Sequence, residues 1–374
     1  MIIRELQVIN FRNLENVRTE FSPGLNLIFG ANAQGKTNLL EAIYLLVTGR
    51  SFRTASEREM IPWVRDSYEA TVVRARVEKR TGEERCLLTF NQSEKNIFVN
   101  GEPISRLGDL IGRINAVLFT PADLELVRGA PAVRRRFLDI ESSQVSRHYL
   151  YHLQRYDLAL RQRNALLKQH AHRAQLRDEL LVWDGQLAQH GSELIHFRRG
   201  MLQKLSDKAA KQYAMIASSQ ELLELVYRPS IAISAEVFDA SDAPALVLRA
   251  LTGSVEEDIR RGSTNLGPHR DDFDFMLSTH NARDYGSQGQ QRSCVLALKL
   301  AELEYMEEIT REPPLLLLDD LMSELDENRR AALLGSLTER VQTFLTATEK
   351  EPVLGFVKAE SVYRMEHGNL QHGS

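Results

Sequence analysis

Cysteine is nearly missing from this sequence: Cys86 and Cys294 are the only two in 374 residues. Two thiols cannot build a disulfide scaffold or a cysteine metal cluster, and such sparing use fits a reduced, cytosolic protein. Long apolar runs are missing too. None approaches the ~18–20 residues that span a bilayer, which excludes a membrane-spanning helix. Arg4 and Glu5 interrupt the first apolar stretch, so no secretory leader is expected. Nor is there a large excess of one charge. A formal net charge of −4 gives no global electrostatic case for nucleic acid, so any such case must be local. Internal repeats and low-complexity tracts are absent as well, and the length allows about two globular domains.

The charge that is present is unevenly placed. Between Arg128 and Arg177, eleven Lys and Arg stand against only Asp139, Glu141 and Asp157, leaving that stretch at +8 and the remainder at −12. A basic segment on an acidic body is the electrostatic footprint for a polyanion. The same composition also describes a solvated helical face.

The strongest signal is Gly30-Ala31-Asn32-Ala33-Gln34-Gly35-Lys36-Thr37. It follows an apolar run (Leu25, Leu27, Ile28, Phe29) and precedes a helical pattern (Leu39, Leu40, Ala42, Ile43, Leu46). Strand, Gly-rich turn, then Lys-Thr opening a helix is the context of a phosphate-binding P-loop. Backbone N–H groups of the turn and the helix N-terminus offer partial positive charge to phosphates. Lys36 is placed to reach the β- and γ-phosphates, and the Thr37 hydroxyl to ligate Mg²⁺. ATP and Mg²⁺ are therefore the expected ligands.

Alternation predicts strands at 2–9, 68–77, 86–90 and 114–119, with Asn100-Gly101 turning a hairpin within 96–104. From Pro121 the pattern becomes helical. Tyr149, Leu153, Tyr156, Leu160 and Leu167 share one helix face, and Leu180, Trp183, Leu187, Leu194, Phe197, Met201 and Leu205 share another. With a bend at 170–175, these predict an antiparallel hairpin of helices about 25–30 residues long, roughly 40 Å. A strand is expected at 272–277, a helix at 295–306, a strand at 341–348 and a final hairpin at 362–370.

Leu315-Leu316-Leu317-Leu318-Asp319-Asp320 is an apolar strand ending in two carboxylates, the Walker B arrangement. Asp319 is placed to hold the Mg²⁺ shell, and Asp320 to orient or deprotonate the attacking water, with Lys36 as its catalytic partner. Shortly before it comes Ser287-Gln288-Gly289-Gln290, opening an apolar helix. Ser and Gly N–H groups at a helix N-terminus make a second phosphate cradle. One chain does not need two cradles for one γ-phosphate. A second copy can supply it across a twofold interface, giving two composite sites.

In this order the motifs resemble those of the ABC-type ATPases, and within them the RecF family of bacterial recombination mediators. Carrying the resemblance are Phe11-Arg12-Asn13, the P-loop, Gly49-Arg50-Ser51-Phe52-Arg53, Thr120-Pro121-Ala122-Asp123-Leu124 and Arg134-Arg135-Arg136-Phe137-Leu138-Asp139. Gly267-Pro268-His269-Arg270-Asp271-Asp272, the Ser-Gln-Gly-Gln signature, and Leu318 through Asp326 complete the set along nearly the whole chain. The resemblance implies an α/β fold: an ABC-type P-loop ATPase head (mixed sheet plus antiparallel β subdomain) with an inserted helical lobe. The head is expected from 1–120 and 265–374, and the lobe, with its short antiparallel helical hairpin, from 121–264. It also implies an ATP-driven homodimer on double-stranded or gapped DNA, with slow, DNA-stimulated hydrolysis. RecR, RecO and RecA are the implied partners, with a role in recombinational repair, replication-fork maintenance and SOS induction in the cytoplasm. On this analogy Ser287 and Gly289 meet the γ-phosphate bound by the other subunit, and Ser323, Glu324, Leu325 and Asp326 match the D-loop.

Two departures stand out. ABC heads usually carry Asp-Glu after the Walker B strand, where this chain has Asp319-Asp320. A switch histidine usually follows the next strand, where this chain reads Thr346-Ala347-Thr348. For DNA contact the candidates are Arg134, Arg135, Arg136, Arg161 and Arg163. Arg suits bidentate phosphate contact, yet Phe137-Leu138 gives the triple arginine an alternative use as a helix anchor. Likewise His269 and Arg270 either meet DNA or couple the lobe to the signature, or else form a turn that satisfies itself. The rivals are a transport ATPase subunit, which DNA binding would exclude, and an SMC-type head, for which the helical arm is too short.

Overall fold

The computed structural model describes residues 1–62, 70–169, 176–217, 221–231, 242–322, 325–336 and 341–373. The chain divides into two compact units, one of Met1–Asp123, Lys211–Ser219 and Val295–Ser374, the other of Leu124–Ala210 and Gln220–Cys294.

In the first unit the chain forms β1 (Ile2–Phe11), β2 (Leu14–Glu20), β3 (Leu25–Phe29), α1 (Lys36–Thr48), β4 (Thr71–Lys79), β5 (Gly82–Phe90), β6 (Lys95–Val99), β7 (Glu102–Pro103) and β8 (Ala116–Phe119). Near the other chain end it adds β12 (Leu315–Leu318), α10 (Glu327–Ser336), β13 (Thr343–Ala347), α11 (Glu351–Leu354), β14 (Ser361–Glu366) and β15 (Asn369–His372). Two six-stranded sheets result. One is antiparallel in the order β2-β1-β4-β5-β6-β7, and the other is mixed, β15-β14-β3-β13-β12-β8. The expected α/β class, with mixed and antiparallel sheets, is what forms.

β12 is four leucines, all buried, paired in parallel with β8 and β13. A continuous apolar run is what a parallel strand covered on both faces requires. In β1 the register shifts between Ile3 and Glu5. This bulge lets Ile3 and Leu6, three apart, both point inward and be fully buried. Helix α1 is apolar almost all round, and Leu39, Leu40, Ile43, Leu46 and Val47 join core residues of both sheets in one cluster. Buried Gln342 fastens the two sheets together. Its side chain accepts from the Ile3 N–H at 2.6 Å and donates to the Ile3 and Ser22 carbonyls at 2.9 and 2.8 Å.

The second unit carries α2 (Glu125–Arg128), α3 (Pro131–Val145), α4 (Arg147–Gln169), most of α5 (Leu176–Ala217), β9 (Leu223–Arg228), α6 (Ala243–Gly253), α7 (Val255–Arg261), β10 (Asp272–Leu277), β11 (His280–Asn281), α8 (Ala282–Tyr285) and the start of α9 (Gln288–Thr310). Its sheet is antiparallel, β11-β10-β9. Helices α4 and α5 are antiparallel: Tyr149 meets Phe197, His152 meets His190 and Arg163 meets Asp184, so partner numbers fall as α4 advances. The predicted bend at 170–175 lies outside the described residues, as does 232–241. At 42 residues α5 exceeds the expected 25–30, because its apolar period continues through buried Leu205, Ala209 and Tyr213.

Strands β2 and β9 are additions to the sequence reading. β2 buries only Leu14 and Val17 fully, a spacing that breaks strict alternation. The segment 265–294, expected with the head, falls in the second compact unit, where β10 pairs with β9 over six residues.

Candidate nucleotide-binding site

The P-loop joins β3 to α1, and its backbone geometry explains its glycines. Gly30 has φ 155° and Gly35 φ 113°, values that only glycine adopts without strain. A Cβ on Gly30 would lie 2.3 Å from the Met365 carbonyl oxygen, and one on Gly35 2.8 Å from Asn13 Oδ1. The turn between β14 and β15 secures the loop from the far chain end. His367 N–H donates to Gln34 Oε1 at 2.6 Å, and Gly368 N–H donates to the Gln34 carbonyl at 3.0 Å. Sequence reasoning missed this contact, which bridges more than 330 positions.

Lys36 donates its ammonium to the carbonyls of Gly30 and Ala31 at 2.6 and 2.9 Å. Burial pulls its pKa below the ordinary lysine value, opposed by the charges of Asp320 and Asp319. The Thr37 hydroxyl donates to Asp319 Oδ1 at 2.8 Å. Two motifs 282 positions apart are thus in direct contact. Thr346 at the end of β13 completes the arrangement. Its hydroxyl donates to Asp319 Oδ1 and accepts from the Asp320 N–H, both at 2.9 Å. Of the two threonines standing where a switch histidine is usual, Thr346 is fully buried against the Walker B carboxylate and Thr348 is exposed. Burial raises the Asp319 pKa, the bonds from Thr37 and Thr346 lower it, and Asp320 raises it. A buried carboxylate beside a second one, with a hydroxyl at hydrogen-bonding distance, is an oxygen set that fits a hard divalent cation. Asp320 itself holds a left-handed φ of 49°, uncommon for a residue other than glycine.

These groups open onto a cleft of about 760 Å³, lined by Asn10, Arg12, Asn32, Lys36, Asn38, Arg53 and Asp320 among others. That volume lies within the range of small-molecule sites. The two arginines are held by fully buried Glu41. Arg12 grips it through Nε and Nη2 at 2.5 and 2.8 Å, Arg53 approaches it at 3.4 Å, and the Ser51 hydroxyl donates to it. Glu41 escaped the sequence reading because it sits within the apolar pattern of α1.

The signature lies at the start of α9. The Ser287 N–H donates to Gln290 Oε1 at 2.8 Å, and the Gln290 N–H donates back to Ser287 Oγ at 3.2 Å. This reciprocal pair is a capping box. It leaves Ser287 and Gln288 exposed at the N-terminus of a 23-residue helix, with Gly289 half-buried in its first turn. In the D-loop segment, Ser323 and Glu324 lie outside the described residues. Leu325 is buried, and Asp326 caps α10 by accepting from the Arg329 N–H at 2.9 Å.

The arginines proposed for DNA part company. Arg134 is 2% exposed and grips Asp272 at 2.6 and 2.8 Å. Arg163 is fully buried between Asp184 and Asp258 at 2.6 and 2.7 Å. Neither presents its charge to solvent, which corrects the expectation that they contact DNA: their guanidiniums neutralise carboxylates from distant segments. Arg135 is half-buried and donates to the Asp271 carbonyl at 2.9 Å, while Arg136 and Arg161 are exposed. The His269 cluster satisfies itself. His269 Nδ1 lies 2.6 Å from the Tyr156 hydroxyl and Nε2 3.0 Å from the Thr264 carbonyl, and burial pushes its pKa down to about 4.

Among the described residues, no helix is long and apolar enough to cross a membrane. The family model for the RecF/RecN/SMC N terminal domain matches residues 2–371. The DNA replication and repair protein RecF of Symbiobacterium thermophilum is 44% identical over 360 residues, covering 95% of this chain and 93% of that protein. That of Lachnoclostridium phytofermentans is 39% identical over the full length of both. A solved structure of the recombination mediator protein RecF with ATP, in the RecFOR pathway, superposes with TM-score 0.91 at 37% identity, covering 100% of this chain and 97% of that one. An Smc head bound to the C-winged helix domain of ScpA shares the fold, with TM-score 0.59 at 13% identity. The match over nearly the whole chain and the relatives at about 40% identity place the chain in the RecF family, within the RecF/RecN/SMC class of ATPases.

Proposed function

We propose that this chain is an ATP-operated DNA clamp of recombinational repair and replication-fork maintenance, closing as a homodimer on duplex or gapped DNA. The observation that carries the reading is the contact of Thr37 with Asp319, which brings the P-loop directly against the Walker B strand end. The relatives' standing as DNA replication and repair proteins and the ATP in the solved RecF structure support it.

In this reading the ATPase head draws on 1–120 and 265–374, its part from 265 to 294 carried by the second compact unit, with 121–264 as the inserted helical lobe. The P-loop amides and Lys36 hold the β- and γ-phosphates of ATP, Lys36 exchanging the Gly30 and Ala31 carbonyls for phosphate oxygens. Thr37 and Asp319 hold Mg²⁺, which when bound supplies neutralising charge to the phosphates. Asp320 orients the attacking water, and Thr346 ties the Asp319 carboxylate to the Asp320 backbone. Ser287 and Gly289, with Gln288 and Gln290 shaping the turn, complete the site of the other copy. The segment from Ser323 to Asp326 links the two sites. Hydrolysis is slow and serves as a release switch.

The DNA-facing charge is assigned to exposed Arg136 and Arg161, with half-buried Arg135 beside them. Exposed Arg147, Arg155 and Lys168 of α4 add to the same basic segment. Contacts of this kind are sequence-independent and weaken steeply with salt. RecR and RecO act with the clamp, and RecA loading and SOS induction follow in the cytoplasm. The test is ATP turnover of the purified protein with and without gapped duplex DNA. Stimulation by DNA that vanishes in Lys36→Met supports the clamp. A rate indifferent to DNA, with no DNA binding at low salt, overturns it.

A further inference from the structure

Away from the nucleotide site, the helical hairpin gathers four side chains whose chemistry nothing above uses. His148 and His152 stand four apart on α4, and His190 and Glu193 three apart on α5. Both spacings put the two side chains on one helix face. Because the helices are antiparallel, the two pairs meet. His148 Nε2 lies 3.1 Å from Glu193 Oε2, and His152 Nδ1 lies 3.0 Å from His190 Nδ1. One ligand atom from each of His148, His152 and Glu193 falls within 4.8 Å of the others.

We propose that His148, His152 and Glu193 form a binding site for a borderline divalent transition metal of the zinc class, tying α4 to α5. Two imidazoles and a carboxylate are a ligand set that Zn²⁺ takes, leaving a fourth position to water. Bonds of ~2.0–2.1 Å put tetrahedral ligand atoms about 3.4 Å apart. Rotamer adjustments of about an ångström therefore suffice to close the set. Mg²⁺ demands oxygen ligands in near-octahedral geometry, so the cation of the nucleotide site does not compete here.

The surroundings suit this use. His152 and His190 are buried, and burial pulls both below the ordinary histidine pKa, which keeps them in the neutral, ligating form. At 3.0 Å, one Nδ1 must carry the proton and the other the lone pair. His190 thereby fixes the ring of His152, the outer-shell support that ligating histidines usually have. Arg155, whose charge also lowers the His190 pKa, lies over the Tyr151 ring, 5.6 Å from its centroid. His148 and Glu193 remain 64% and 44% exposed, so an ion can enter from solvent.

The experiment uses the full chain, stripped of metal with a chelator that is then removed. Zn²⁺ is titrated in competition with a chromophoric chelator, and Co²⁺ is added separately as an optical probe of coordination. The expected result is one Zn²⁺ per chain, the strong visible absorption of four-coordinate Co²⁺, and affinity lowered about tenfold or more in His148→Ala, Glu193→Gln and His190→Asn. His148 and Glu193 are exposed enough that their variants keep the fold, checked by circular dichroism and by unchanged ATP turnover. Wild-type and His148→Ala chains binding Zn²⁺ with the same stoichiometry and affinity would overturn the site. So would a wild-type chain that binds none at micromolar free Zn²⁺.

Discussion

Replacing Thr346 by valine keeps the shape of a fully buried side chain and removes one hydroxyl. That hydroxyl donates to Asp319 Oδ1 and accepts from the Asp320 N–H, each at 2.9 Å. A hydrogen bond to a charged group contributes about 1.5–3 kcal/mol, and an amide left without a partner costs about 1–3 kcal/mol. The Asp320 N–H is only partly buried, so water recovers some of its share. The net destabilisation expected is about 2–4 kcal/mol, read as a lower urea midpoint by circular dichroism. The functional effect is separate. Asp320 sits at a φ of 49° and Thr346 tethers its backbone, so the valine variant loosens the residue assigned to the attacking water. A displacement of about 1 Å costs up to about 100-fold in rate. A fall in ATP turnover of about 10–100-fold is expected, with ATP binding retained and with both properties restored in Thr346→Ser. A valine variant that unfolds and turns over like the parent refutes the role given to this hydroxyl.

Other outcomes follow from the second unit. His269, held down to about 4 chiefly by burial, binds fewer protons folded than unfolded between that value and ~6.5. Stability therefore rises with pH across this window and is lost as pH falls through it, by up to about 3 kcal/mol; His269→Asn should flatten the dependence of the urea midpoint. Arg163→Met leaves Asp184 and Asp258 buried without their cation and should cost about 3–5 kcal/mol. Arg161→Ala should leave the midpoint unchanged and lower the salt slope of DNA binding by about one; equal effects of the two substitutions on stability would contradict the burial argument. Ser287→Arg should bind ATP normally and fail to dimerise, so loss of nucleotide binding in that variant would contradict a role in trans.

How legible each part was in the sequence depended on how local its cause is. The P-loop and Walker B strand could be read because their chemistry fixes spacing: glycines where φ is positive, a run of leucines where a strand is covered on both faces. Thr346 could be marked as standing in an unusual place, but its partner is set by the pairing of β12 with β13 in space. The basic stretch misled for a related reason. Counting charge from Arg128 to Arg177 treats every guanidinium as solvated, whereas Arg134 and Arg163 neutralise Asp272, Asp184 and Asp258, all outside or far along from the counted neighbours. The His148–His152 and His190–Glu193 spacings were present as helical repeats, yet only the antiparallel register of α4 and α5 makes them one cluster. The clamp of His367 and Gly368 on Gln34 left no sequence signal beyond a turn near the chain's end.

The central claim, that each ATP site is completed by the signature of a second copy, is tested most directly by mixing two disabled chains. Lys36→Met lacks a working P-loop, and Ser287→Arg lacks a working signature. A mixed dimer would contain one site built from the intact P-loop of the second variant and the intact signature of the first. Each variant alone should show no ATP-driven dimerisation by sizing and no turnover above background, and their mixture should recover both. Two folded variants whose mixture stays monomeric and inactive, or a Ser287→Arg chain that dimerises and hydrolyses ATP alone, would contradict the composite site.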